Sequence, residues 1–280
     1  MDVDSVRTPD SPDDILGRIL RAKTDEVRLC RGQRPESEVR AQAEQRNARR
    51  PFEARLAQKG SSGVNIIAEI KRASPSKGPI RADLKLEQFA RAYTSGGAAA
   101  ISVLTDRHFQ GDPQDLGRVR SLTPLPLLRK DFIISTYQIH EAVVLGADAV
   151  LLIVRVLFPE FLRTCLDLCR ELELGALVEV HDEAELDEAT GAGAKLIGVN
   201  NRDLRTFHTD LAISERLVRR LEPNQVMVAE SGIRSRADIQ RLEAAGVWNF
   251  LIGESLVRAE HPESFLRSLQ GMADKEDRDR

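Results

Sequence analysis

Short apolar runs recur eight times after residue 63, and that repetition leaves the chain very few folds. The runs begin near Val64, Ala99, Leu125, Ala149, Ala176, Lys195, Gln225 and Asn249. Stretches with the apolar spacing of amphipathic helices separate them. Similar phrases precede several runs: Gly96-Gly97-Ala98, Gly146-Ala147-Asp148, Gly193-Ala194-Lys195 and Gly246-Val247-Trp248. A glycine in the left-handed conformation ends a helix there, and the chain then enters a strand. Strands apolar on both faces belong to a parallel sheet covered by helices. Eight such units closing on themselves give an α/β fold, the (β/α)8 TIM barrel, which 280 residues accommodate. A doubly wound open sheet is the alternative. It usually carries a Gly-rich dinucleotide turn after its first strand, and this sequence has none.

The barrel is expected over residues 64–270, behind a helical extension at 11–63, with a disordered tail at 1–10 and a charged tail at 271–280. Ser11-Pro12-Asp13-Asp14 has the form of a helix start: a serine cap, proline at the first helical position and acids in the first turn. Ile15, Leu16, Ile19 and Leu20 then form an apolar stripe. Pro35 to Lys59 is expected to be helical, with Phe52 and Leu56 as anchors, and Gly60-Ser61-Ser62-Gly63 closes the extension as a loop.

A formal net charge of −3 gives no field for nucleic acid or an anionic membrane surface. No apolar run has bilayer-spanning length, and the N-terminus lacks the apolar core of a signal peptide. The expectation is a cytoplasmic protein, monomeric or weakly homodimeric, that handles a small molecule. Cys30, Cys165 and Cys169 read as reduced thiols; no His or Cys cluster accompanies the Cys165–Cys169 spacing, so no metal is expected.

Charge interrupts three of the apolar runs. Glu69 and Lys71 stand in Ile66-Ile67-Ala68-Glu69-Ile70-Lys71, and two residues apart on a strand they face the same side. Arg129-Lys130-Asp131 ends another run, and Glu179 sits inside Leu177-Val178-Glu179-Val180-His181. Burying a charge costs several kcal/mol or more unless it is paired or used. In a parallel barrel the ends of several strands converge on one active-site mouth. Asn200, Glu230, Ser231 and Gly232, and Gly253, Glu254 and Ser255 end the sixth, seventh and eighth runs. Any one of these charges alone reads equally well as a structural ion pair; five polar strand ends together point to a site.

The turns Ser231-Gly232-Ile233 and Gly253-Glu254-Ser255 follow the seventh and eighth strands, the usual phosphate position of this fold. Lys71 and Ser74 from the first loop are placed to complete such a site. That loop, rich in Pro, Gly and Ser between residues 72 and 83, has the composition of a lid. His181 and His140 read as structural hydrogen bonders and Trp248 as packing at the bottom of the barrel. Arg155 reads equally well as a mouth residue or a surface one.

Six phrases together resemble the indole-3-glycerol-phosphate synthase family of tryptophan biosynthesis. They are Ala68-Glu69-Ile70-Lys71-Arg72-Ala73-Ser74-Pro75-Ser76-Lys77-Gly78, Leu127-Leu128-Arg129-Lys130-Asp131-Phe132, Leu177-Val178-Glu179-Val180-His181, Gly198-Val199-Asn200-Asn201-Arg202-Asp203-Leu204, Glu230-Ser231-Gly232-Ile233 and Leu251-Ile252-Gly253-Glu254-Ser255-Leu256. The likeness runs from about residue 12 to 270. It implies conversion of 1-(2-carboxyphenylamino)-1-deoxyribulose 5-phosphate to indole-3-glycerol phosphate with loss of CO2 and water, without metal or organic cofactor. It implies Lys130 as general acid, with Glu179, Glu69 and Lys71 managing decarboxylation and dehydration, and Asn200 and Glu230 orienting the reacting groups. Ser74, Ser231, Gly232, Gly253, Glu254 and Ser255 would bind phosphate. Phe109, Phe132, Leu151, Phe207 and Arg202 would line the aromatic pocket. A lysine in a crowded basic site, its pKa lowered, is the expected proton donor. The sequence departs from the family pattern at His108, at Ser135 and at Val154-Arg155-Val156, none of them a matched catalytic position.

Two rivals remain at this level. Phosphoribosylanthranilate isomerase shares the barrel but pairs a Cys with an Asp, and no Cys ends a strand here. A non-catalytic phosphate-binding barrel would be expected to lose these charges, yet all are present.

Overall fold

Nearly every residue of the eight apolar runs is buried, which is why the chain closes its sheet instead of leaving edges open. The strands are β1 (Asn65–Ile70), β2 (Ala100–Leu104), β3 (Leu127–Lys130), β4 (Ala149–Ile153), β5 (Gly175–Val180), β6 (Leu196–Asn200), β7 (Val226–Glu230) and β8 (Asn249–Ile252). In this computed structural model, which describes residues 6–7, 15–46, 49–74, 78–81, 83–203 and 206–272, each strand pairs in parallel with its sequence neighbours, and β8 closes on β1. The expected (β/α)8 barrel is therefore the fold.

Register carries the polar strand ends to one rim. Glu69 lies opposite Ser102, Leu104 opposite Lys130, Ile153 opposite Glu179, and Asn200 opposite Glu230. Gly97, Gly146, Gly193 and Gly246 all have positive φ, as the strand-entry phrases require.

The extension wraps the barrel from mouth to base. Helix α1 (Ile15–Gln33) crosses the mouth side, where Ile15 and Ile19 pack with Ala73, Leu104, Phe109 and Phe132. Lys23 of α1 is buried against Asp106, Asp131 and Glu26 at 2.7, 2.8 and 3.0 Å. Helix α2 (Glu36–Glu44) lies on the barrel helix Thr136–Leu145. Helix α3 (Phe52–Leu56) reaches the base, where Glu53 accepts a hydrogen bond from the Ala176 amide at 3.0 Å and the Leu56 carbonyl accepts one from the Trp248 indole at 3.2 Å. Phe52 and Leu56 are buried as expected. The helix start at 11–14 lies outside the described residues.

Of the tail expected at 1–10 the structure describes Val6 and Arg7, and these two are docked. Val6 forms a β-bridge with Leu157, and the Arg7 amide donates to the Val156 carbonyl at 2.8 Å. Arg7 also pairs with Glu188 and stacks over Phe158. An arginine with carbonyl, carboxylate and ring partners offsets the entropy that a polar tail otherwise keeps.

Candidate active site

At the C-terminal rim the strands open on a cavity of about 330 Å³, within the size range of small-molecule sites. It is lined by Glu69, Lys71, Lys130, Glu179, Asn200, Arg202, Glu230, Ser231, Gly232, Gly253, Glu254 and Ser255, with Phe109, Phe132 and Leu151 on its apolar wall. The site residues named from the sequence thus meet in one place, with two exceptions. Phe207 is half-buried, has a φ of 58°, and is not among the lining residues. Ser74 lies in a short ladder, Ala73–Ser74 against Gly78–Pro79, and its side chain is outside the described atoms.

Alternation on each strand aims the charges inward. Lys130 Nζ lies 3.2 Å from Glu179 Oε2 and 3.5 Å from Glu230 Oε2. The Asn200 amide donates to Glu179 Oε1 at 3.2 Å. Lys71 Nζ and Glu69 Oε1 are 2.6 Å apart. Two glycines make the room: a Cβ at Gly198 on β6 would overlap the Glu230 carboxylate, and one at Gly253 would overlap Glu69 and crowd Lys71. Gly198 is a site residue that sequence pattern does not reveal, because its role is the volume it leaves empty.

The electrostatics correct one expectation. Lys130 is not in a basic pocket with a lowered pKa. Burial disfavours its ammonium, but Glu179, Glu230 and Glu69 together hold its pKa above the ordinary lysine value. Burial likewise pushes Glu179 up, and Lys130, His181 and the hydrogen bonds from Asn200 and Lys130 outweigh it, so the carboxyl sits below its usual range. Glu230 goes the other way. Burial, with Glu179 and Glu69 nearby and against the pull of Lys130, drives it up to about 8. Two neighbouring carboxyls with oppositely shifted pKa values are the arrangement that separates acid and base roles.

The small-residue turn after β7 is unusual: Ser231 and Gly232 both have positive φ, at 65° and 81°. A serine held there marks backbone strain of the kind that accumulates at functional sites. Buried Asn201 holds the turn, donating to the Glu230 and Ser231 carbonyls at 3.0 and 3.3 Å. Arg234 and Arg258 also line this part of the cavity, and neither stands out in the sequence among so many arginines. Arg155 is a flank residue: it pairs with Glu185 at 2.7 Å and does not line the cavity. His140 Nδ1 donates to the Thr136 carbonyl at 3.1 Å, and Cys165 and Cys169 are buried thiols. Among the described residues no His, Cys, Asp and Glu cluster has metal-holding geometry.

Comparison with known proteins agrees with this geometry. A sequence model of the indole-3-glycerol phosphate synthase family matches residues 16–269. The indole-3-glycerol phosphate synthase of Desulfosudis oleivorans is 55% identical over 258 residues, 91% of this chain and 98% of that protein. That of Syntrophobacter fumaroxidans is 54% identical over 259 residues, 92% and 98% of the two chains. Among solved structures, the thiamine phosphate pyrophosphorylase from Pyrococcus furiosus superposes with a TM-score of 0.56 at 17% identity, covering 74% of this chain and 94% of its own. That second likeness is one of fold alone. Matched by the family model over nearly its whole length and more than half identical to these relatives, the chain belongs to the indole-3-glycerol phosphate synthase family.

Proposed function

We propose that this chain closes the indole ring of 1-(2-carboxyphenylamino)-1-deoxyribulose 5-phosphate, with Lys130 and Glu179 as its central acid–base pair. The observation that carries the reading is the Lys130–Glu179 contact at 3.2 Å inside a cavity lined on one side by Phe109, Phe132 and Leu151. The anilino ring lies on that apolar wall, and the phosphate lies at the turns 231–234 and 253–255, near Lys71, Arg234 and Arg258. Arg202 and Ser74 flank the sugar chain and the phosphate.

The ring carbon bearing the carboxylate attacks the ketone carbon, and the Lys130 ammonium protonates the ketone oxygen as the new bond forms. CO2 then leaves and the electrons of its bond restore the aromatic ring. In the last step the hydroxyl leaves as water with a second proton, and a carboxylate takes one proton from the neighbouring CH2. Two protons enter and one departs, so each turnover consumes one proton. Glu179, ionised through Lys130 and Asn200, suits the base role; Glu230, protonated near neutral pH, suits that of a hydrogen-bond donor to a hydroxyl. Lys71, paired with Glu69, supplies the cation beside the substrate carboxylate until it departs. Arg72, at the start of the first loop, is pinned to Asp115 at 2.6 Å; residues 75–77 and 82 of the loop expected as a lid lie outside the described residues.

In this reading a phosphorylated small molecule is the partner and the protein works in the cytoplasm as a monomer or weak homodimer; a net charge of −3 gives no field for nucleic acid. Among the described residues no helix is long and apolar enough to cross a membrane. The test is direct: mix the protein with the anilino-deoxyribulose phosphate and follow indole fluorescence. Lys130→Ala and Glu179→Gln are each expected to lower kcat by about 10²–10⁴ while KM changes little. A folded Lys130→Ala with near-normal kcat refutes the acid assignment, and an effect of Glu179→Gln confined to KM makes that residue a binding group.

A further inference from the structure

Behind Glu179 lies a second carboxylate, with an imidazole between the two. His181 follows Glu179 by two residues at the end of β5, and its ring is buried. Its Nδ1 lies 3.0 Å from Glu185 Oε2, and the His181 amide donates to the same oxygen at 2.8 Å. Glu185 belongs to helix Glu183–Gly191, whose cap, Asp182, fixes the first turn through the Glu185 amide. Its other oxygen is held by Arg155 Nε at 2.7 Å, from the loop after β4. Glu185 is therefore anchored from two sides, and it in turn fixes the imidazole plane. The remaining nitrogen, Nε2, is buried, makes no hydrogen bond among the described residues, and lies 3.5 Å from Glu179 Oε1.

A buried polar atom without a partner costs about 1–3 kcal/mol, and such atoms persist where function uses them. Glu185 favours the tautomer with the proton on Nδ1, as a buried carboxylate does for a catalytic histidine, and this leaves Nε2 facing Glu179. We propose that His181, oriented by Glu185, is a positioning residue of the reaction that acts on Glu179 through Nε2 as a reversible proton store. Once Glu179 has taken the CH2 proton, transfer to Nε2 restores the carboxylate and leaves an imidazolium between two carboxylates. Transfer back returns that proton to Glu179, which supplies the second proton to the hydroxyl that departs in the next turnover, so net consumption stays at one proton per cycle. One O–H bond breaks as one N–H bond forms, and no other reactant is needed.

The charged groups facing the ring are Glu179 on its own strand and Glu185 on the flanking helix. Arg155 and Asp182 stand behind Glu185, 3.8 Å from each other, and Lys130 stands behind Glu179. The proposal rests on the acid–base reading of Glu179. Nε2 stands 3.5 Å from Glu179 Oε1, so the shuttle needs an approach of about half an ångström to reach hydrogen-bond distance.

The test uses His181→Asn, whose amide nitrogen takes the place of Nδ1 toward Glu185 while Nε2 is lost. The expected result is a kcat lower by about 10- to 100-fold, the range seen when a group orienting a reactive partner is removed, with KM within about twofold and thermal unfolding near that of the parent. One ionisation should also vanish from the kcat–pH profile. In Glu185→Gln that ionisation should move to lower pH, because an anion favouring the imidazolium is gone. Full kcat in His181→Asn, or a reduced kcat with the pH profile unchanged, overturns the proposal. If His181→Asn does not fold, NMR titration of the imidazole in the parent and in Glu179→Gln decides: the titration must move to lower pH in the variant, and an unmoved curve overturns the proposal. A fast Glu179→Gln defeats the reading beneath it, whereas a slow Glu179→Gln beside a normal His181→Asn defeats the proton store alone.

Discussion

Replacing Lys23 by methionine should damage a site whose cavity Lys23 does not line. Its ammonium, 2% exposed, meets Asp106, Asp131 and Glu26 within 3.0 Å. Burial alone would depress its pKa, but Asp131, Asp106 and Glu26 raise it, so the charge is held firmly. Methionine fills nearly the same volume and leaves the buried carboxylates behind. Asp131 would keep Arg129 and Thr105, whereas Asp106 would keep only the His108 amide among its described hydrogen-bond donors. Breaking a buried pair from one side costs about 3–5 kcal/mol. At about 2–4 °C per kcal/mol for a protein of this size, melting should fall by roughly 6–20 °C. Asp131 adjoins both Lys130 and Phe132, and the Phe132 amide donates to it at 2.9 Å, so kcat should fall as well. The sign with pH is set by Asp131, whose pKa is lowered on folding: burial opposes this, and Arg129 and Lys23 prevail. That stability is present above the unfolded carboxyl pKa of about 4 and disappears as pH falls through the folded value. The gap between parent and variant should therefore be widest near neutrality and narrow below about pH 4. Circular dichroism melts at several pH values, with fluorescence turnover at each, measure this. A variant that melts within 2 °C of the parent at pH 7 refutes the reasoning.

Arg234→Ala should raise KM for the phosphorylated substrate by about 10- to 100-fold, the loss of one charge-assisted hydrogen bond, with unfolding unchanged because the side chain is exposed; an unaltered KM places the phosphate elsewhere. This is a cleaner probe than Gly232→Val, whose Cβ would overlap Thr209 at a φ of 81°. Glu230→Gln should gain stability relative to the parent as pH rises from about 4.5 through 8. The folded parent keeps a proton over that window that the unfolded chain has lost, so its stability falls there on the order of a few kcal/mol, and glutamine removes the loss. Melts at pH 5 and pH 9 that differ equally in both proteins would contradict it.

The fold was legible because period and punctuation agree: buried runs of strand length, helical spacing between them, and, before several of the runs, glycines that do adopt positive φ. Glu69, Lys130 and Glu179 were legible for a thermodynamic reason, since charge inside an apolar strand demands a use. The polarity of the Lys130 pocket was not, because the three carboxylates around it come from β1, β5 and β7, far apart in the chain. Phe207 was placed by the family resemblance, and it is not among the residues lining the cavity. The docking of Val6 and Arg7 depends on partners some 150 residues later, and nothing local in a polar tail announces them.

Gly198 and Gly253 carry a lesson for anyone transplanting this chemistry. Moving the lysines and glutamates onto another barrel at matching strand positions would supply every reactive atom and still fail wherever the recipient has an alanine. Neither glycine has positive φ, so backbone freedom is not what the recipient would lack. What it would lack is one methyl-sized hollow on β6 and another just past β8, each occupied here by a carboxylate reaching across from the adjacent strand. A graft must therefore be specified by its empty positions as well as its filled ones, and two mutations to glycine belong on the first page of such a design.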